Sequence, residues 1–120
     1  MNRTYFPPPP LFHHSKWLME VNEFIVDHLS DRNLTVSDMA GAVFLSERQF
    51  YRKLKRATGK TPNEYLTEIR LEKGKALLES GTYSTLKEVA LSIGYSRSDY
   101  FSHLFESHYG FKPASYFHLF

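Results

Sequence analysis

The chain has 120 residues, with 15 Lys and Arg against 13 Asp and Glu, and no Cys. That length suffices for one proper core, and a formal charge of +2 means little until each charge is placed. The lack of Cys excludes a disulfide scaffold, thiolate metal ligation and thiol catalysis. The longest apolar runs are a few residues, too short for a membrane span. The start carries Arg3, aromatics and prolines where a signal peptide would carry a long apolar stretch. A soluble cytoplasmic domain is expected.

Residues 1–15 read as a proline-rich linker. Pro7 to Pro10 form an unbroken run without amide donors, which settles into an extended polyproline helix and cannot join a core. It suits a semi-rigid spacer better than a ligand for an aromatic-grooved domain, because no basic residue flanks it at docking distance. From Lys16 onward apolar residues recur at three and four: Trp17, Leu18, Val21, Phe24, Ile25 and Leu29 share one helical face, which should end near Asp31 to Asn33. Thr35 can cap a short helix to about Val43, with Asp38 as its capping-box acid. Ser46 can cap another from Glu47 to about Thr58, with Gly59 as the left-handed stop. Thr61 and Pro62 open a long helix that should run to about Ser80, where Gly81 ends it. Thr85 caps the next and Ser96 the one after. Gly110 stops that helix, and Lys112 with Pro113 opens a short last one. No segment alternates with the period of a strand. The expected class is all-α with about seven helices.

The second half repeats the first. At an offset of fifty residues Met39 meets Val89, Ala40 meets Ala90, Val43 meets Ile93 and Ser46 meets Ser96. One extra residue near Ser98 makes the offset fifty-one, and Phe50 then meets Phe101, Leu54 meets Phe105, Gly59 meets Gly110, Pro62 meets Pro113 and Tyr65 meets Tyr116. Each copy is a short helix, a tight turn, a second helix, a glycine stop and a proline-started helix. That is a helix-turn-helix written twice, at about 34–59 and about 84–110, joined by a linker helix over about 62–79.

Residues 16–117 resemble the double helix-turn-helix domain of the AraC/XylS family of bacterial transcription regulators. The first unit carries the resemblance in Leu34-Thr35-Val36, Met39-Ala40, Leu45 through Leu54, Thr58-Gly59, Thr61-Pro62, Tyr65-Leu66 and Ile69-Arg70-Leu71. The second carries it in Val89-Ala90, Ile93 to Ser96, Tyr100-Phe101-Ser102, Phe105, Gly110, Pro113 and Tyr116. Phe44 to Lys53 are most similar to output domains of hybrid two-component sensors. The resemblance implies sequence-specific binding of double-stranded DNA, activation rather than repression, and RNA polymerase as a further partner. It also implies a signal-receiving and dimerising part outside this chain, so that the domain alone is a monomer. No cofactor and no membrane contact are expected.

In the second helix of unit one, Phe50, Leu54 and Ala57 fall on one face, and Arg48, Tyr51, Arg52 and Lys55 project together from the other. From Ser46 to Lys60 there are six basic residues (Arg48, Arg52, Lys53, Lys55, Arg56 and Lys60) and one acid, Glu47. A solvated helix face would intersperse Glu partners; a stripe of like charge repels itself and an anion relieves it. Arg48 and Arg52 are therefore assigned to base contact, with Gln49 as an adenine reader. Lys53, Lys55 and Arg56 are assigned to phosphate, together with Thr35, Ser46, Tyr51, Lys60, Thr85 and Arg97. In unit two the stripe is lost: Asp99, Ser102, His103 and Glu106 stand at the matching positions. Either that unit reads bases weakly through Ser98, Asp99, Ser102 and His103, or it mainly supports unit one. Its Tyr100, Phe101, Leu104 and Phe105 should face the core.

The linker helix, about 27 Å at 1.5 Å per residue, is of the order of the distance between successive major grooves. Tyr65, Leu66, Ile69, Leu77 and Leu78 should pin it. Gly74, in its interior, reads either as tight packing or as a tolerated loss of about 1 kcal/mol. Phe44 stands where the repeat has Gly94, so the first turn should have a different backbone. An enzyme is not expected, because the six His are scattered and no nucleophile elbow or phosphate loop occurs. The rival reading is a helical protein-interaction module that docks through Tyr116, Phe117, Leu119 and Phe120.

Overall fold

The computed structural model describes residues 15–117. The proline run and the terminal Leu119 and Phe120 lie outside the described residues. Six α-helices follow one another: α1 (Ser15–Asp27), α2 (Val36–Ala42), α3 (Glu47–Thr58), α4 (Pro62–Ser80), α5 (Leu86–Ser92) and α6 (Ser98–Tyr109). The seventh helical element, Pro113–Phe117, is a 3-10 turn. There is no strand among the described residues.

Local chemistry sets most boundaries. Thr35 with Asp38, Ser46 with Gln49 and Thr85 with Glu88 each form a reciprocal capping box, satisfying amides that a helix start leaves orphaned. Gly59 (φ 77°) and Gly110 (φ 85°) stop α3 and α6 in the left-handed conformation, and each donates its N–H back to the final turn. Three boundaries differ from the sequence reading. Ser15 belongs to α1 and not to the linker. That helix ends at Asp27, because His28 to Leu34 fold into consecutive tight turns: the Asp31 N–H donates to His28 O and the Leu34 N–H to Asp31 O, while Asp31 Oδ1 accepts from Asn33. Leu29 is buried from that turn rather than from a helix. The extra residue of the second repeat moves the start of α6 past Ser96, so Arg97 is its N-cap and makes no side-chain capping bond.

The chain divides into two compact units. The first comprises 15–27 and Thr35–Leu66, the second His28–Leu34 and 67–117. In the first, Val21 and Ile25 of α1, Met39 and Ala40 of α2, and Phe50 and Leu54 of α3 are fully buried. Trp17 packs against Phe50 with ring centroids 6.0 Å apart, and Tyr65 Oη donates to Asn22 Oδ1 at 2.6 Å. In the second, Val89, Ala90, Ile93, Phe101 and Phe105 form the core with Leu29, Leu34, Leu71 and Leu78. Phe101 stacks on Tyr95 and meets Phe105 edge-on. Tyr100 departs from the expectation: it is 52% exposed and touches Tyr95 edge-on, because Phe101 and Phe105, one turn apart, take the inward line.

Along α4 the buried positions are Pro62, Leu66, Arg70, Leu71, Gly74 and Leu78. Steps of four residues drift about 40° each round a helix of 3.6 residues per turn, so this stripe winds round the rod. Of the residues expected to pin it, Leu66 and Leu78 are buried; Tyr65, Ile69 and Leu77 are half-buried. Arg70 is the one polar core side chain of the described residues. Its Nη2 donates to Asp31 O at 2.9 Å, its guanidinium lies 5.6 Å from the Tyr95 ring, and burial lowers its pKa. Gly74 is explained by packing. A Cβ there would stand 2.9 Å from Ile93 Cδ1 and 3.0 Å from Phe101 Cζ.

The two helix-turn-helix turns share one backbone, contrary to the expectation for Phe44. In the first, Phe44 N–H donates to Gly41 O and Leu45 N–H to Ala40 O; in the second, Gly94 N–H donates to Leu91 O and Tyr95 N–H to Ala90 O. Phe44 accordingly takes φ 60°, the one positive φ outside glycine among the described residues, and its side chain is 95% exposed. The turn geometry is set by the flanking helices and overrides the preference of the residue occupying it.

Candidate nucleic-acid interface

The packing of Phe50 and Leu54 inward fixes what α3 turns outward. Arg48, Tyr51, Arg52, Lys55 and Arg56 are all exposed. Among the described residues no ion pair engages Arg48, Arg52, Lys53, Lys55 or Arg56. The stripe is not wholly without acids nearby. Glu64, just beyond the window of the sequence count, has its carboxyl pKa lowered first by the Thr61 amide and hydroxyl and then by the fields of Lys55 and Lys60. Arg48, Tyr51 and Arg52 also line a groove of about 560 Å³ with Val36, Glu47, Thr61, Pro62 and Asn63. Sequence reasoning missed the last of these residues. The Thr61-Pro62 signal placed a helix start there, but only tertiary packing brings that start beside α3.

Several expected contacts have other employment. Gln49 Oε1 accepts from the Ser46 N–H at 3.0 Å and Ser46 Oγ accepts from the Gln49 N–H at 3.1 Å, so the proposed adenine reader and its neighbour serve as the cap of α3. Thr35 is likewise tied to Asp38, whose carboxylate occupies the α2 start that was assigned to a phosphate. Thr85 donates its hydroxyl and its N–H to Glu88 Oε1, which fills the α5 start in the same way. A carboxylate already seated on these amides repels a phosphate. Lys53 is half-buried, with Nζ 4.7 Å from the centroid of Trp17, a cation–π contact that draws it off the open face. Lys60 is half-buried at the end of the unit.

On α6, His103 is exposed, and Ser98 and Ser102 are half-buried. Arg97 and Asp99 are bound to each other: Nε donates to Oδ1 at 3.1 Å and Nη2 to Oδ2 at 2.5 Å. Each shifts the other's pKa, Arg97 upward and Asp99 downward, through that hydrogen bond first. Among the described residues, the outward face of α6 therefore has no cationic stripe.

A helix-turn-helix domain family matches residues 39–118. The chain belongs to the AraC-type helix-turn-helix family of transcriptional regulators. It is 31% identical to the probable transcriptional regulator LumQ of Photobacterium leiognathi over 96 residues, 80% of this chain and 38% of that protein. It is 34% identical to the transcriptional activator RhaS of Escherichia fergusonii over 90 residues, 75% of this chain and 32% of that protein. The chain thus spans about a third of the length of the curated AraC-type relatives it matches. Among solved structures it is similar to the DNA-binding domain of AdpA in complex with a target DNA (29% identity, TM-score 0.74, covering 82% of this chain and 87% of that one). It is also similar to the C-terminal domain of the two-component response regulator yesN from Fusobacterium nucleatum (26% identity, TM-score 0.74, covering 87% and 98%).

Proposed function

We propose that this AraC-type domain binds double-stranded DNA sequence-specifically, in the cytoplasm, as the output part of a transcription activator. In this reading 34–59 and 84–110 are its two helix-turn-helix units and the helix of 62–80 joins them. The observation that carries it is the exposed set Arg48, Tyr51, Arg52 and Lys55 on the outward face of α3, fixed by the burial of Phe50 and Leu54 and free of ion pairs among the described residues. A stripe of like charge on a rigid helix is relieved by a polyanion. The major groove admits a helix, and the Arg48 and Arg52 forks match guanine O6 and N7 there. Lys55 and Arg56 contact phosphate. The chain is a monomer alone, with dimerisation and RNA polymerase contact belonging to the whole regulator.

The test is a titration against duplexes selected from a random pool, at several salt concentrations. Contact with about five phosphates gives a slope of log affinity on log salt near −4 to −5. Unit one supplies most of the binding free energy, so Arg52→Ala weakens binding far more than His103→Ala. Equal losses would remove the primacy of unit one. Absence of salt-dependent binding to any duplex would favour a protein-interaction module.

A further inference from the structure

The start of α6 is built unlike the starts of α2, α3 and α5. Those three carry hydroxyl capping boxes, whereas α6 has Arg97 as N-cap with no side-chain capping bond. What stands there is a guanidinium gripped side-on by one carboxylate, through Nε to Oδ1 and Nη2 to Oδ2 of Asp99. Both side chains are about 70% exposed, so the pair adds little to stability. What it fixes is direction. A guanidinium has five N–H donors in one plane. The side-on grip uses Nε–H and one Nη2–H, leaving both hydrogens of Nη1 and the second of Nη2. The second Nη2–H and one Nη1–H form the end-on edge of the fork, which the carboxylate does not occupy, and that edge matches the O6 and N7 acceptors of guanine. Asp99 is itself held on the first turn of the helix, as the second residue of α6.

We propose that Arg97 reads a guanine for the second unit and that Asp99 is its positioning residue. The inference rests on the DNA-binding reading above and replaces two roles expected from the sequence. A phosphate contact draws on net charge, and the charge of Arg97 is already matched by Asp99. A cytosine contact through Asp99 would have to share a carboxylate both of whose oxygens already accept from Arg97. The directional donors of Arg97 are what remains. No other residue on the exposed face of α6, where Ser102, His103 and Glu106 stand, can supply a bidentate fork.

The test uses the full chain and duplexes selected from a random pool, with each G·C pair of the selected site replaced in turn by A·T and affinity read by fluorescence anisotropy. One G·C pair is expected at which replacement weakens the wild type about 10- to 100-fold and leaves Arg97→Ala and Arg97→Lys indifferent. Arg97→Lys keeps the charge, so a phosphate role would leave its preferences as in the wild type. Asp99→Ala is expected to relax the preference at that same pair and to steepen the salt dependence by up to about one unit of slope, as the released Arg97 turns to phosphate. Retention of every base preference by both Arg97 variants overturns the inference while the DNA-binding reading stands. So does an Asp99→Ala protein that reads the pair like the wild type. Failure of the wild type to select any duplex removes both.

Discussion

Replacing Phe44 by glycine is expected to stabilise the protein, although it deletes a large apolar side chain. At φ 60° an L residue carries about 1–2 kcal/mol of backbone strain. The ring is 95% exposed, so almost no burial is lost with it. Glycine returns about 0.5–1 kcal/mol through its larger loss of backbone entropy on folding, which leaves a net gain of up to about 1.5 kcal/mol. The repeat supplies an internal control of opposite sign. Gly94 occupies the same turn at φ 95°, but a Cβ there would stand 2.5 Å from the Leu29 carbonyl oxygen and 2.7 Å from Arg70 Nη2. Gly94→Ala therefore adds backbone strain to a collision with the buried Arg70 clamp, a loss of about 2–4 kcal/mol. Urea titration reads both. Trp17 is the single Trp and packs on Phe50, so its fluorescence follows the unit that holds Phe44; far-UV circular dichroism follows the helices of both, and what it loses beyond the Trp17 transition belongs to the other unit. A destabilised Phe44→Gly protein, or a neutral Gly94→Ala one, would refute this account of the turns.

Gly74→Ala sets about 1 kcal/mol of helix propensity against about 1–3 kcal/mol of overpacking on the fully buried Ile93 and Phe101. A net loss of up to about 2 kcal/mol is expected in urea titration, and a gain would contradict the tight-packing reading. Glu64 gives a pH signature. Its folded pKa is lowered, so what it contributes is present above the ordinary carboxylate value and lost as pH falls through the lowered one. Glu64→Ala should flatten the acid limb of the stability–pH curve below about pH 4.3, and an unchanged slope would show that the bonds between Glu64 and Thr61, in which Glu64 Oε1 accepts from the Thr61 N–H and Thr61 Oγ1 from the Glu64 N–H, do not couple to folding.

The fold was legible where one short-range rule sets a boundary. The caps at Thr35, Ser46 and Thr85 and the stops at Gly59 and Gly110 are each decided by chemistry within three or four residues, and the fifty-residue repeat places the helices between them. What escaped was decided elsewhere in the chain. Periodicity carried the first helix past Asp27, because Leu29 is buried, but tight turns secured by Arg70 bury it without helical structure. The charge of the α3 stripe was legible by counting. Which of its members stand free was not, because Lys53 leans on Trp17 and Gln49 is consumed as a cap. A side chain's second employer, unlike its charge, cannot be counted from the sequence.

The two copies separate the frame from the reading surface. Phe50 and Phe101, and Leu54 and Phe105, hold matching inward positions and are fully buried, so each copy must keep them to fold. Their outward neighbours, Arg48 against Asp99 and Arg52 against His103, bear no such constraint and have diverged in charge. The single residue that breaks the repeat falls at the start of α6. There it replaces a hydroxyl cap, worth about 1 kcal/mol, with a paired Arg97 and Asp99 whose acid still favours the helix start. Little stability is forfeited by that exchange, and an exposed, oriented guanidinium is obtained. A copy relieved of supplying the bulk electrostatic attraction can in this way specialise in direction while its partner carries the charge.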